Sequence, residues 1–195
     1  MKDLGTKELM TKHLILKVPT MKEQKKLYDI LMIPEVNKYY LSINKKYKNN
    51  LLSWENQKQF YENKITTALS KDRYEWSVFL KETGECIGQI NAHNRNDLSN
   101  DIKDVGWYIE PKYQGNGYAS EAARAMLNYM FYEVGISGII TSAAILNVAS
   151  WRIMEKLGFV REKDTKFNEY TFVDESVESY VYKINSEQYT KYNNL

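Results

Sequence analysis

The sequence predicts an α+β fold, that is, a mixed α/β domain with a sheet of six or seven strands and about four helices. Three observations support this prediction. Short runs of apolar and β-branched residues recur along the chain, as they do in strands. Four longer segments place apolar residues at helical spacing. Glycine, proline and polar residues separate these segments, so each is expected to end in a turn or a loop.

The composition favours one soluble, globular domain. The chain has 195 residues, of which 43% are apolar and 27% are charged, a balance that argues against a disordered protein. The longest mostly apolar run, Val134 to Leu146, is too short to span a membrane. We therefore expect a single domain over residues 1 to 195, located in the cytoplasm, with no membrane partner.

Charge and cysteine content exclude further classes. The formal net charge is +2, and no basic stripe of the kind that binds nucleic acid is present, so nucleic acid is not an expected partner. Cys86 is the only cysteine, which rules out an intrachain disulfide, and no metal site is expected. The oligomeric state stays open.

The first third of the chain predicts one strand and two helices. Leu14 to Val18 alternates as a strand does and is ended by a proline. A capping box, Thr20 with Glu23, opens a helix that Pro34 stops. A second helix is expected after Ser53, with apolar residues at helical spacing: Trp54, Tyr61, Ile65 and Ala68.

The middle of the chain predicts a hairpin and a further strand. Two strand-like runs, Tyr74 to Lys81 and Glu85 to His93, are joined by a turn of hairpin length that contains glycine. A polar loop then leads to a strand over Val105 to Ile109. That strand runs directly into residues 113 to 122, which read YQGNGYASEA.

The last third alternates again between helices and strands. Apolar residues from Ala119 to Val134 recur in steps of three and four, which indicates a helix. The remaining elements are a strand, a short helix closed by a glycine in the C′ position, and two further strands: Ile139 to Ile145, Ala149 to Leu157 with Gly158, roughly Lys166 to Val173, and Val177 to Ile184.

The glycine stretch between a strand and a helix predicts an anion site. Unpaired amides at the start of a helix lie at the positive end of its dipole, and glycine keeps the backbone accessible to phosphate oxygens. A Walker loop is excluded because Gly117 is followed by Tyr118 and not by lysine. A dinucleotide fingerprint fits poorly, because Ser120 replaces its third small residue and no carboxylate follows about twenty positions later.

A third pattern, Gln/Arg-x-x-Gly-x-Gly/Ala, matches Gln114 to Ala119. This stretch resembles the cofactor motif of the GNAT superfamily of N-acetyltransferases, and the segments Asn147 to Ser150 and Glu155 to Phe159 resemble its second motif. The resemblance implies an acyltransferase that uses acetyl-CoA as cosubstrate. It also implies a GNAT fold, in which a mostly antiparallel sheet is splayed between the fourth and fifth strands, with a core of residues 11 to about 184.

The opening Thr11 to Lys17 and the strand Val105 to Ile109 resemble one branch of that superfamily, the RimJ/RimL-like enzymes that acetylate ribosomal-protein N-termini. The resemblance implies that the acceptor is a protein N-terminal α-amine. Two alternatives remain open. One is a small amine such as a polyamine, an amino acid or an aminoglycoside, and the other is a module that binds coenzyme A without catalysis.

The resemblance also implies which residues bind the cofactor. The diphosphate is expected on the amides of the glycine turn and of the following helix, and the pantetheine against strand backbone and an asparagine. The residues expected to bind are Tyr108, Ile109, Gln114, Gly115, Asn116, Gly117, Tyr118, Ala119, Ser120 and Asn147.

Two residues are expected to move protons, because attack on a thioester needs a neutral amine and the leaving thiolate needs a proton. By resemblance, Ser150 protonates the sulfur, since Met154 stands where many relatives have a tyrosine; the alternative for Ser150 is a helix cap. Glu169 is the expected base, with an exposed strand carboxylate and a water chain as the alternative. Glu110 and His93 are further candidates.

Tyr39, Tyr40 and Tyr47 are expected either to line the acceptor site or to pack at its rim.

Overall fold

One eight-stranded sheet forms the centre of a computed structural model that describes residues 1–2, 4–39, 53–68, 73–168 and 176–193. The strands follow one another in the order β1-β2-β3-β4-β5-β6-β8-β7. Their bounds are β1 Leu9–Met10, β2 Leu14–Lys17, β3 Arg73–Leu80, β4 Cys86–His93, β5 Ile102–Ile109, β6 Gly138–Ala144, β7 Val160–Asn168 and β8 Val177–Asn185.

Six α-helices lie within the described ranges, where the sequence predicts about four. Their bounds are α1 Met21–Leu31, α2 Pro34–Asn37, α3 Trp54–Thr67, α4 Tyr118–Asn128, α5 Val148–Lys156 and α6 Ser186–Asn193. A π-helical segment, Tyr129–Val134, continues α4. No helix in these ranges combines the length and the apolar character that crossing a bilayer requires.

The sheet is antiparallel except at one pair of strands. β5 and β6 run parallel and meet only through Ile102 with Gly138 and Lys103 with Ile139. Beyond these pairs the two strands diverge. Because they correspond to the fourth and fifth predicted strands, the mixed α/β class and the expected splay are confirmed.

The number and the bounds of the strands needed correction. The eighth strand is β1, whose two residues pair with β2 and are too few to give an alternating pattern. β7 begins at Val160, six residues before the predicted start at Lys166. Its first half is mostly charged and lies on a sheet edge, so the apolar alternation that marks a strand is missing there.

The helix boundaries follow local signals closely. Thr20 caps α1, and its amide donates to the Glu23 carboxylate at 2.9 Å, as the capping box predicts. The Ser53 side chain accepts from the Asn56 amide at the start of α3. Gly158 follows α5 with a φ of +86°, which confirms the predicted C′ glycine.

The two faces of the sheet differ in polarity. Side chains of β3 and β4 such as Trp76 and Ile90 join the large core that α4 covers. The opposite face carries a smaller apolar cluster with α1, built around Leu27, together with four buried polar side chains from the same two strands: Glu75, Ser77, Gln89 and Asn91. On β3 and β4, these buried polar side chains lie on one face.

Candidate active site

A cleft of about 740 Å³ opens where β5 and β6 diverge. One end is formed by the turn between β5 and α4. The other end is formed by side chains of α2, β3 and β4, on the polar face of the sheet. We call these the turn end and the acceptor end of the cleft. Across the gap, the Thr141 hydroxyl donates to the Val105 carbonyl at 3.0 Å and joins the two strands.

The glycine turn at the turn end fits an anion. Gly115 and Gly117 have φ values of +80° and +81°, and a Cβ added at either residue would meet no atom within 4 Å. Gly117 is the N-cap of α4 and has no side chain with which to cap the helix. The amides of Tyr118, Ala119 and Ser120 therefore have no side-chain acceptor within the described ranges, and they lie at the positive end of the helix dipole.

Two polar side chains beside the turn hold its shape. Gln114 donates from Nε2 to the Ile109 carbonyl at 2.8 Å, which ties the turn to the end of β5. Asn116 donates from Nδ2 to the carbonyls of Tyr113 and Gln114, at 3.1 and 3.2 Å. Gln114 lines the cleft and Asn116 does not, so the side chain of Asn116 stabilises the turn from outside the cleft.

The backbone of β5 presents alternate amides to the gap. The Glu110 amide donates to the Ile87 carbonyl at 2.8 Å, so the ladder directs the amides of even-numbered residues, including Tyr108, at β4. The amides of Trp107 and Ile109 then face the gap. Backbone contacts to the cofactor were predicted near Tyr108 and Ile109. The Ile109 amide faces the gap, as does the amide of Trp107, which was not predicted. The Tyr108 amide points at β4 instead. The pairing of β5 with β4 decides which amides face the gap, so the sequence alone could not identify Trp107.

Asn147 and Ser150 begin α5 and both line the cleft. Asn147 is the N-cap, and its side-chain oxygen accepts from the Ser150 amide at 3.4 Å. The helix-cap alternative for Ser150 is therefore wrong, because Asn147 has that role. Within the described residues the Ser150 hydroxyl has no hydrogen-bond partner. Met154 lies four residues after Ser150, about one turn further along the same helix, and is buried beside the cleft.

The predicted base, Glu169, lies outside the described residues. The residue before it, Asn168, donates from Nδ2 to the Ser142 hydroxyl at 3.3 Å, and Ser142 lines the cleft. Glu110, the reserve candidate, is not part of the cleft lining. Its carboxylate contacts Lys112 at 3.3 Å instead.

Arg73, His93 and Asp104 form a row at the acceptor end. They are cross-strand partners on β3, β4 and β5, and all three line the cleft. His93 Nδ1 lies 3.1 Å from the Asn91 side-chain oxygen. Burial lowers the pKa of His93 below its ordinary value, although the Asp104 carboxylate acts in the opposite direction. The imidazole is therefore neutral at pH 7.

A buried ion cluster, which the sequence analysis missed, supports this row. The Glu75 carboxylate is fully buried and accepts from Lys64 Nζ, Arg73 Nε and Gln89 Nε2, each at 2.6 Å. Burial raises the pKa of Glu75, the two cations lower it, and the net direction is downward, so the carboxylate is ionised. Polar residues at every second position of β3 were the signal that could have revealed it.

Tyr39 also lines the acceptor end, whereas Tyr40 and Tyr47 lie outside the described residues. Among the residues that the structure describes, no group of three histidine, cysteine, aspartate or glutamate side chains is placed to hold a metal ion.

Two curated relatives from Bacillus subtilis (strain 168) are similar to the chain. The uncharacterized N-acetyltransferase YnaD is 38% identical over 85 residues, which cover 44% of this chain and 49% of that protein. The chain thus spans about half the length of this relative. YkkB is 30% identical over 152 residues, which cover 77% of this chain and 84% of that protein.

Solved structures share the fold over most of the chain. An acetyltransferase of the GNAT family from Bacillus anthracis matches with a TM-score of 0.75 and 25% identity, covering 93% of this chain and 99% of that one. Two matches below 25% identity bear on the fold alone. The ribosomal-protein-S5-alanine acetyltransferase from Vibrio fischeri has a TM-score of 0.77 at 15% identity and coverage of 94% and 98%. The spermidine N-acetyltransferase from Vibrio cholerae, in complex with CoA and spermine, has a TM-score of 0.75 at 16% identity. The match covers 92% of this chain and 99% of that one.

A family model for the acetyltransferase (GNAT) domain matches residues 13–160. This range contains the diverging strands, the glycine turn and both ends of the cleft. The chain belongs to the GNAT family of acetyltransferases.

Proposed function

We propose that this enzyme transfers the acetyl group of acetyl-CoA to the α-amine of a protein N-terminus, as the RimJ/RimL-like branch does. The observation that carries the proposal is the continuous cleft between β5 and β6, which joins an anion-binding turn to the polar face of the sheet. The activity is proposed for one domain, with a core of residues 11 to about 184.

The residues at the turn end fit a diphosphate and a pantetheine. The amides from Gly115 to Ser120 offer donors and an open approach for phosphate oxygens. The amides of Trp107 and Ile109 face the gap, where a thioester arm can pair with strand backbone as an additional strand would. Acetyl-CoA, when bound there, supplies the activated acetyl group.

The acceptor end favours a peptide over a polyamine. Its charged lining includes Arg73 and Arg95 as well as Glu35 and Asp104. A polycation would require a predominantly acidic pocket, because two arginines raise the electrostatic cost of binding it. Solved structures with this fold include a ribosomal-protein acetyltransferase and a spermidine acetyltransferase. The preference for a peptide acceptor is therefore supported by the residues that line the acceptor end and not by the fold.

Two residues move protons in the proposed reaction. The amine nitrogen forms a bond to the acetyl carbon while the carbon–sulfur bond breaks. Glu169 accepts a proton from the amine, and the hydroxyl of Ser150 donates its proton to the sulfur and recovers one from solvent. Asn168, which precedes Glu169 in the sequence, contacts Ser142 of the cleft lining. The position of Ser150 in that lining, free of the capping role, supports its part.

A free-thiol release assay tests the proposal. Wild-type protein and acetyl-CoA are combined with a panel of N-terminal peptides and small amines, and the product is identified by mass spectrometry. We expect acetylation of peptide α-amines with a higher kcat/KM than of any small amine. Turnover of polyamines alone would favour the small-amine alternative, and CoA binding without any turnover would favour the non-catalytic alternative.

A further inference from the structure

Arg73 is held in the cleft by a single bond at one side of its guanidinium. Its Nε donates to Glu75 at 2.6 Å, and within the described residues its two terminal amino groups have no hydrogen-bond partner. Glu75 is itself fixed by Lys64 and Gln89 below the cleft. The guanidinium is thus oriented before any ligand binds, with its terminal nitrogens available.

Arg73 shares its described counter-ion with a second cation. The Glu75 carboxylate accepts from both Arg73 Nε and Lys64 Nζ, at 2.6 Å each. The terminal guanidinium nitrogens of Arg73 lie in a partly buried cleft, where they can bind a carboxylate through two parallel hydrogen bonds.

Asp104, the acidic residue in the same row, already accepts hydrogen bonds from neighbouring groups. Asp104 accepts from the Val105 amide at 2.8 Å through Oδ1 and from Arg95 Nη1 at 3.3 Å through Oδ2. Arg95 in turn is bonded to Asp97 at 2.5 and 2.9 Å. Both oxygens of Asp104 therefore have donors, and Arg95 is bound by two carboxylates. Of Asp104, Arg95 and Arg73, only Arg73 has both terminal amino groups without a partner among the described residues.

We propose that Arg73 binds a carboxylate of the acceptor, and that the preferred acceptor is a peptide with an acidic side chain within its first three residues. The inference rests on the proposed function and names the substrate class for the same cleft. Arg73 lies in the row with His93 and Asp104 at the acceptor end of the same cleft that the glycine turn lines. A carboxylate bound there directs the N-terminal amine of the same peptide toward the thioester.

The experiment uses matched peptides that differ by one group. Glutamate is placed at position 1, 2 or 3 of a neutral peptide and compared with glutamine at the same position, with spermidine as a carboxylate-free acceptor. With wild-type enzyme we expect kcat/KM for the best glutamate peptide to exceed that of its glutamine partner by about tenfold. The KM for acetyl-CoA should not change between the two peptides.

Variants of Arg73 assign the effect to this residue. In Arg73→Gln the ratio of kcat/KM between the glutamate and the glutamine peptide should fall from about ten to about one. The ratio is the readout because the lost bond between Arg73 and Glu75 affects both peptides alike. Arg73→Lys should recover part of the preference, since lysine keeps the charge but not the paired donors. Arg152→Gln, an exposed arginine outside the cleft lining, is the matched control and should behave as wild type.

Each outcome has a distinct meaning. Equal rates for glutamate and glutamine peptides at all three positions would overturn this inference and leave the N-terminal acetyltransferase proposal standing. Better turnover of spermidine, lost in Glu35→Gln and retained in Arg73→Gln, would overturn it in favour of a polyamine. Absence of thiol release with every acceptor would overturn the proposed function itself. The wild-type peptide comparison stays decisive even if Arg73→Gln fails to fold.

Discussion

The turn end and the acceptor end of the cleft are formed by different parts of the polypeptide, backbone groups at one and side chains at the other. The turn end consists mainly of backbone: two glycines with positive φ and the first amides of α4, all within residues 115 to 120. The acceptor end consists of side chains, with Arg73, His93 and Asp104 contributed by three strands. One end is contiguous in sequence, and the other exists only once the sheet has formed.

This difference bears on what each end can recognise. Backbone amides are present in every protein, so a turn of fixed shape binds the same diphosphate whichever side chains surround it. Side chains on a rigid sheet can be exchanged one at a time without changing the strands that carry them. We therefore expect the turn end to determine the cofactor and the acceptor end to determine the substrate, and four predictions test this separation.

The largest effect is expected at the turn. In Gly117→Trp a bulky side chain is forced onto a residue with a φ of +81° and fills the approach to the helix amides. The loss of about three charge-assisted hydrogen bonds should weaken CoA binding by about 1,000-fold, as measured by isothermal titration calorimetry. Gly84→Trp is the control, since Gly84 has a φ of +69° and open space around it in the β3–β4 turn. Equal loss in both variants would mean that backbone strain, and not the blocked anion site, is responsible.

A smaller effect is expected from the base. Glu169→Gln should lower kcat by about 100-fold, because a neutral amide cannot accept the amine proton, while the KM for acetyl-CoA stays the same. Steady-state kinetics with a peptide acceptor measure both constants. Glu162→Gln on β7 is the control; that carboxylate is paired with Lys183 at 3.1 Å. An unchanged kcat in Glu169→Gln would assign the proton transfer to a water chain or to His93.

Substitution of the two polar residues at the start of α5 should have different effects, on turnover for Ser150 and on stability for Asn147. Ser150→Ala should lower kcat by about 10- to 100-fold with little change in melting temperature, because Asn147 caps the helix. Asn147→Ala should instead lower the free energy of unfolding by about 1 kcal/mol. Turnover and thermal unfolding of both variants provide the comparison. A destabilised Ser150→Ala with wild-type kcat would contradict the assignment.

The smallest effect is expected from the titration of His93. Its folded-state pKa lies below the unfolded value of 6.5 because of burial, opposed by Asp104 and Glu75 and assisted by Arg73 and Arg95. Its contribution to stability is thus fully present above pH 6.5 and is lost as the pH falls from there through the folded-state pKa. Melting temperatures between pH 5 and 8 should decline less toward acid pH in His93→Gln than in wild type. Parallel curves for the two proteins would refute this.

Most regular elements were predictable because their signals are local. The capping box of α1, the serine cap of α3, the hairpin turn and the glycine after α5 are each encoded within a few residues. The elements that were missed are stabilised by distant contacts. α6 is polar overall, yet Tyr189 is fully buried in it and stacks on Phe131 at a ring distance of 5.0 Å. Such packing outweighs a weak local preference.

The candidate site divides in the same way. Gln114 to Ser120, Asn147 and Ser150 were found from motifs, and apart from Asn116 all of them line one cleft. Trp107 and the orientation of Tyr108 depend on which strand β5 pairs with. Glu75 and Arg73 acquire a role only through Lys64, which comes from a helix that precedes them in the chain.

The amino-acid sequence by itself determined the turn end of the cleft, because a glycine turn followed by a helix start positions its own amides through neighbouring dihedral angles. Only the tertiary structure decided the acceptor end, because strand register brings Arg73, His93 and Asp104 into one row across 31 positions of sequence. Strand register depends on the packing of the whole sheet, and no short stretch of residues encodes it.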